Sequence, residues 1–200
     1  LGGAFQYLAV DNFKSCMDPD TTPPVITCPA DITVGNDAGV CGAIVTFTVT
    51  ATDDLPGVTV VSTPASGSLF AVGTTLVTSV ATDAAGNTAS CTFNITVNDT
   101  EAPVTTCPAD ITVGNDASLC SAVVNFTPTV TDNCPGATAS SVPASGSVFP
   151  IGTTLVTVTG TDAAGNTSSC TFNVTVNDTE APVVTWPADI IVSNDPGQCD

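Results

Sequence analysis

The sequence predicts an all-β chain of tandem β-sandwich domains joined into an extended rod, on three observations. The first is a repeat. CPADITVGNDA begins at Cys28 and again at Cys107, and WPADIIVSNDP begins at Trp186, an offset of 79 residues each time (107 − 28 = 79; 186 − 107 = 79). Residues 22–100 align on 101–179 without a gap. A fixed period marks repeated structural units, and one of 79 residues suits a small domain. The second observation is period-two patterning, the mark of half-buried strands. The third is regular turn punctuation: GNDAS, DNCPG, PASGS, PIGTT and DAAGN. Such clusters separate short strands, and short strands at this spacing read as a β-sandwich.

The elements follow in order. Residues 1–21 form a leader unlike the repeats, with FQYLAV and DNF. It reads as an edge strand or a strand inserted into another copy, or else as the tail of a preceding domain. Repeat one spans 22–100 and repeat two 101–179. Within repeat two, Cys120, Ala122, Val124 and Phe126 share one strand face, and Cys170, Phe172, Val174 and Val176 share another. In TTLVTVTGTD, Leu155 alternates with outward Thr, while Val156 and Val158 take the other phase. Residues 180–200 supply a first strand and the start of a second, an incomplete third repeat. The junctions DTTPP (Asp20–Pro24) and DTEAP (Asp99–Pro103, Asp178–Pro182) carry proline, which fixes φ and stiffens the joint.

Composition narrows the function. The formal charge is −18, with a single Lys14, no Arg and no His. Nucleic acid and anionic membranes would be repelled, and divalent cations attracted. Nine cysteines with no His and no CxxC indicate disulfides in an oxidising compartment, outside the cell or on its surface. Catalysis has no footing, because Ser and Cys nucleophiles lack a base. No apolar run approaches the ~20 residues a membrane span needs.

These motifs resemble the hyalin repeat (HYR) family of immunoglobulin-like extracellular modules. The resemblance rests on CPADITV, then GVCGAIVTF or SLCSAVVNF, then TDNCPG, then VGTTLVTSVATDAAGNTASCTFNITV. It covers both full repeats, and it implies adhesion or assembly without catalysis. Repeat one departs from it at Leu55, where repeat two has Cys134, and residues 180–200 depart at Trp186.

These departures suggest a pairing. If Cys107 pairs with Cys134, Cys120 pairs with Cys170; repeat one then keeps Cys41–Cys91, and Cys28 turns to Cys16. The other connectivities, Cys107–Cys170 with Cys120–Cys134 or Cys107–Cys120 with Cys134–Cys170, leave Cys41 or Cys91 without a counterpart. One objection stands against the preferred scheme. The starts of the second and last strands of a seven-strand sandwich lie at opposite ends.

Acidic residues gather at the expected domain ends. Asp99 and Glu101 come from the junction, Asp132 and Asn133 from a loop, and Asp162 from the last hairpin. The set one step earlier is Asp20, Asp53, Asp54, Asp83 and Asn87. Such oxygens suit calcium, the candidate cofactor, and NDTEAP resembles the calcium-holding linkers of cadherins. Against this, DAAGN also fits a hairpin turn closed by its own Asp. Asn94, Asn98, Asn125, Asn166, Asn173 and Asn177 begin Asn-x-Ser/Thr sequons, candidate glycosylation sites.

The expected function is an extracellular stalk or filament subunit whose partners are other copies of itself. The alternative is a cell-surface adhesion module for a protein or glycan. A lectin-like site would need an aromatic platform, and Trp186 and Tyr7 both lie outside the full repeats.

Overall fold

A computed structural model describes residues 19–192 and 196–197 of the chain. The leader's aromatic segment and Cys16 lie outside the described residues. All regular structure described is β, in sixteen strands.

Repeat one contains β1 (Val25–Thr27), β2 (Ile32–Gly35), β3 (Gly42–Val45), β4 (Thr50–Thr52), β5 (Thr59–Thr63), β6 (Ser68–Ala71), β7 (Gly73–Thr82) and β8 (Thr88–Asn98). β2, β8, β7 and β5 form a four-stranded sheet in that order, while β3 pairs β6 and β1 pairs β4. β2 runs parallel to β8, with Ile32 opposite Ile95 and Gly35 opposite Asn98. Ala43, Val45 and Phe70 of the ribbon pack on Val77, Phe93, Ile95 and Val97 of the sheet. Two sheets facing across such a core make a sandwich.

Repeat two follows the same plan with β9 (Val104–Thr106), β10 (Ile111–Gly114), β11 (Ser121–Val124), β12 (Thr129–Thr131), β13 (Thr138–Val142), β14 (Ser147–Pro150), β15 (Gly152–Thr161) and β16 (Thr167–Asn177). Its sheet is ordered β10, β16, β15, β13. Its core holds Ala122, Val124, Phe126, Phe149, Val156, Val158, Phe172, Val174 and Val176. Phe126 meets Phe172 edge to face at 5.0 Å, as Phe47 meets Phe93 at 4.9 Å. The inward phase of β15 is Val156 and Val158, and Leu155 is 59% exposed. Thr sits outward on the long strands because its branched chain fits the pleat and its hydroxyl stays hydrated.

By contacts the chain divides into two compact units. One is Leu1–Pro103 with Thr131–Ala137 and Thr161–Thr167; the other is Val104–Val130, Thr138–Gly160 and Ser168–Asp200. The first unit thus includes two loops that belong, by sequence, to repeat two.

The disulfides differ from the expected pairing. Cys28 bonds Cys91, Cys107 bonds Cys170, and Cys41 bonds Cys134. Cys120 is a free, exposed thiol. Cys41–Cys91, Cys120–Cys170, Cys107–Cys134 and Cys28–Cys16 are therefore replaced. Strand direction gives the reason. β2 runs parallel to β8, so the chain leaves it beside Asn98, and the turn before Cys41 is held there by Asn36 N donating to Asn98 O at 2.9 Å. Cys91 lies seven residues back along β8 (98 − 91 = 7), about 23 Å at strand rise. A disulfide needs Cα atoms within about 7 Å. Cys28 lies just after β1 and packs on the core end near Cys91.

Among the described residues after Thr179, 180–192 and 196–197, there is no strand. In each full repeat, the first strand pairs β4 or β12 and the second pairs β8 or β16. Val183, Trp186, Ile190 and Ile191 are all more than 80% exposed.

Candidate functional site

The first compact unit gathers two acidic groups, one repeat step apart. Carboxylate oxygens of Asp20, Asp53 and Asp54 lie within 4.8 Å of one another. Asp99 and Asp132 lie equally close, with Cys134 Sγ as third member. That sulfur is bonded to Cys41, so it offers no thiolate; the oxygens alone remain as ligands.

Local chain geometry places them. Asp53 and Asp132 begin tight loops after β4 and β12. Asp53 Oδ2 accepts from Leu55 N at 3.2 Å, and Asp132 Oδ2 from Cys134 N at 3.0 Å. The remaining oxygens, Asp53 Oδ1 and Asp132 Oδ1, are buried with no hydrogen-bond donor, and so is Asn133 Oδ1. Buried oxygens of this kind cost free energy unless something neutralises them. The donor set of carboxylate and amide oxygens is that of a hard cation, so calcium fits the residues present.

The other residues expected to join a calcium site are occupied elsewhere. Glu101 Oε2 accepts from Gly39 N at 2.7 Å. Asp162 closes the DAAGN turn: its Oδ1 accepts from Gly165 N and Asn166 N at 2.7 and 2.8 Å, and its Oδ2 from Asn166 Nδ2 at 2.8 Å. Asp83 does the same with Gly86, Asn87 and Ala85. Burial pushes both carboxyls up, but the side-chain and backbone donors outweigh it and hold them below the ordinary 3.8. These two aspartates are turn-formers. Their amide partners reach onward, with Asn87 Nδ2 donating to Asp20 O and Asn166 Nδ2 to Asp99 O. Each turn is thereby tied to a carbonyl beside an acidic group.

The sequon asparagines divide by environment. Asn94 donates through N and Nδ2 to Asp31 at 2.8 and 3.2 Å, and Asn173 does so to Asp110. Asn166 is held in its turn. Asn98, Asn125 and Asn177 are exposed.

Sequence reasoning missed the link from Cys41 to Cys134, 93 residues apart. It treated Cys41 as pairing inside repeat one. The available signal was Leu55: repeat one has leucine where repeat two has Cys134, so Cys41 has no partner at that loop position in its own repeat. The second contact of the link is Asn133 Nδ2 donating to Val40 O at 3.1 Å.

A family model described as HYR domain matches residues 19–97 and 98–176. Hyalin of Strongylocentrotus purpuratus is 38% identical over 175 residues, 82% of this chain and 15% of that protein. Hyalin of Lytechinus variegatus is 37% identical over 186 residues, 88% of this chain and 35% of that protein. A Rattus norvegicus protein named Sushi, von Willebrand factor type A, EGF and pentraxin domain-containing protein 1 is 34% identical over 187 residues, 88% of this chain and 5% of its own length. The chain thus spans about a third or less of these relatives. Among solved structures, extracellular cadherin domains 1–5 of protocadherin gamma B2 align over 78% of this chain and 39% of theirs, at 14% identity and a TM-score of 0.44.

Proposed function

Since the chain belongs to the HYR domain family, whose modules are extracellular and non-enzymatic, we propose that it is a structural subunit of a stalk or filament outside the cell. The observation that carries this reading is the Cys41–Cys134 bond. Its cysteines come from successive repeats, so the repeats are tied by a crosslink as well as by the junction peptide. A crosslink of that kind resists extension, which a spacer needs and a soluble ligand-binding domain does not. The repeat units are 22–100 and 101–179, with 1–21 a leader and 180–200 the start of a third.

Calcium is the proposed cofactor, held at Asp99, Asp132 and Asn133 and again at Asp20, Asp53 and Asp54. The unpaired Asp132 Oδ1 and Asp53 Oδ1 support it. The metal would neutralise clustered carboxylates and stiffen the junction loops, with no part in any reaction. Thermal melts in calcium and in chelator test this. A higher Tm in calcium, lost in D53N/D132N, is expected; equal melts in both would remove calcium from the account.

Partners are proposed to be further copies of the same module. Immunolabelled electron microscopy of native material tests the structural role, with fibres or layers expected. The adhesion reading has its own support in exposed aliphatic pairs across each ribbon, Ile44 with Leu69 and Val123 with Val148. Isolated molecules that bind cells or glycans without assembling would favour it.

A further inference from the structure

Cys120 is exposed and unbonded, while its equivalent one step earlier, Cys41 (120 − 79 = 41), holds a disulfide to Cys134. The surfaces around the two are built from equivalent positions, with Leu119 and Ile151 beside Cys120 where Val40 and Val72 lie beside Cys41. Beside Cys120 lies an open cleft of about 260 Å³ lined by Leu119, Cys120, Ile151, Asp178, Glu180 and Pro182, among others. Subtracting 79 from each gives Val40, Cys41, Val72, Asp99, Glu101 and Pro103. That earlier surface receives the Asp132–Cys134 loop. Asn133 donates to Val40 O, Cys134 bonds Cys41, and Asp132 lies close to Asp99.

The frame behind the cleft is already set. Ser118 N donates to Glu180 Oε1 at 2.8 Å, as Gly39 N donates to Glu101. Asn115 Nδ2 donates to Leu119 O at 2.8 Å, as Asn36 Nδ2 does to Val40 O at 3.2 Å. Ile151 N donates to Cys120 O at 3.2 Å, as Val72 N does to Cys41 O at 3.4 Å. A site preorganised in this way needs little rearrangement to bind.

We propose that the Cys120 cleft receives the Thr-Asp-Asn-Cys loop of a following HYR repeat and forms a disulfide with that loop's cysteine. The inference rests on the repeat-array reading and adds a rule of succession to it. A repeat with cysteine at the loop position, as at Cys134, can be locked to its predecessor. A repeat with leucine there, as at Leu55, cannot. The bond forms by exchange with a low-molecular-weight disulfide. The Cys120 thiolate attacks it and releases one thiolate, and the loop thiolate then displaces the second. Two protein thiols become one disulfide, and the small disulfide is reduced to two thiols.

The test duplicates residues 101–179 in place within the full chain and maps thiols by iodoacetamide labelling of the native protein and non-reducing mass spectrometry. In the original chain Cys120 is alkylated. In the duplicated chain Cys120 is expected to be protected and found bonded to the added copy of the loop cysteine, at least tenfold less alkylated than before. A control that inserts residues 22–100 instead, with leucine at the loop position, should leave Cys120 reactive. Continued alkylation of Cys120 in the cysteine-bearing chain, or a Cys120–Cys120 dimer, would overturn the proposal. Thiol mapping is read on isolated molecules. A failure here is therefore separate from a failure to find fibres.

Discussion

Asn166 donates its side-chain amide to the backbone carbonyl of Asp99, 67 residues earlier, at 3.2 Å, and the same nitrogen meets Asp162 Oδ2 at 2.8 Å. One repeat before, Asn87 does this with Asp20 O at 3.0 Å and Asp83 Oδ2 at 2.8 Å. A turn that reads as self-contained in sequence is thus a clasp on the junction. Asn87→Ala should lower stability by about 1 kcal/mol, the net value of a typical hydrogen bond, read as a shift in urea midpoint. The clasp also sequesters the Asn166 sequon. Expressed in a glycosylating host, the chain should carry glycan at exposed Asn125 and none at Asn166, as read by mass spectrometry.

Gly160 shows how the two cores differ while keeping one plan. A Cβ there would overlap Thr105 Oγ1 and come within 2.9 Å of Val130 Cγ2. Thr105 Oγ1 is hydrogen-bonded to Ser168 Oγ at 2.6 Å. One step earlier the equivalents of Thr105, Val130, Gly160 and Ser168 are Ile26, Ala51, Ala81 and Ala89, an apolar solution for the same space. Gly160→Ala alone should destabilise by roughly 1–3 kcal/mol through overpacking. The combined T105I/V130A/G160A/S168A variant should recover most of that loss, because it installs the other repeat's set. Denaturant titration of both variants checks the coupling, and simple additivity would show that the four positions act independently.

The acid limb of stability should depend on Asp31 and Asp110. The backbone N–H of Asn94, and then its side-chain amide, hold Asp31 below the ordinary 3.8, and Asn173 does the same for Asp110. A carboxyl with a lowered folded pKa contributes its full share while the pH is above the unfolded value. As pH falls below about 4 the unfolded chain takes up the proton first, and the contribution is lost as pH passes through the folded value. Asp110→Asn should therefore lower stability at neutral pH and flatten its decline below pH ~4. Urea midpoints measured across pH 2–7 would show this, and an unchanged slope would remove Asp110 from the acid response.

What the sequence disclosed, and what it did not, follows from the range of each signal. Period-two patterning is local, and it placed Phe172, Val174 and Val176 on the core face, where they lie. It did not decide the phase of β15, because Leu155 and Val156 are both apolar. Burial in the shared core with Phe149 and Phe172 is what distinguishes Val156 from the exposed Leu155. The 79-residue step disclosed equivalent positions, including Asp53 with Asp132, whose unpaired oxygens match. Cysteine partners were not legible, because pairing depends on which strand ends meet. The parallel partnership of β2 with β8, which separates Cys41 from Cys91, is a long-range fact that no local pattern carries. Glu101 was misplaced for a related reason. Its attraction to a backbone amide at Gly39 arises only once the junction folds back beside the loop.

Ser118 occupies the one left-handed non-glycine backbone position described, at φ 62°, where its repeat-one equivalent Gly39 sits at φ 71°. The conformation is required in both, since it aims the amide at a glutamate: Ser118 N to Glu180 Oε1 at 2.8 Å, and Gly39 N to Glu101 Oε2 at 2.7 Å. A β-carbon in the left-handed region costs roughly 1–2 kcal/mol, partly offset because glycine loses more freedom on folding. Ser118→Gly should therefore stabilise by about 0.5 kcal/mol, and Gly39→Ser should destabilise by a similar amount. Scanning calorimetry of the two variants should show Tm moving in opposite directions. Equal shifts of the same sign would mean that the hydroxyl of Ser118, and not its backbone, determines the fit of this turn.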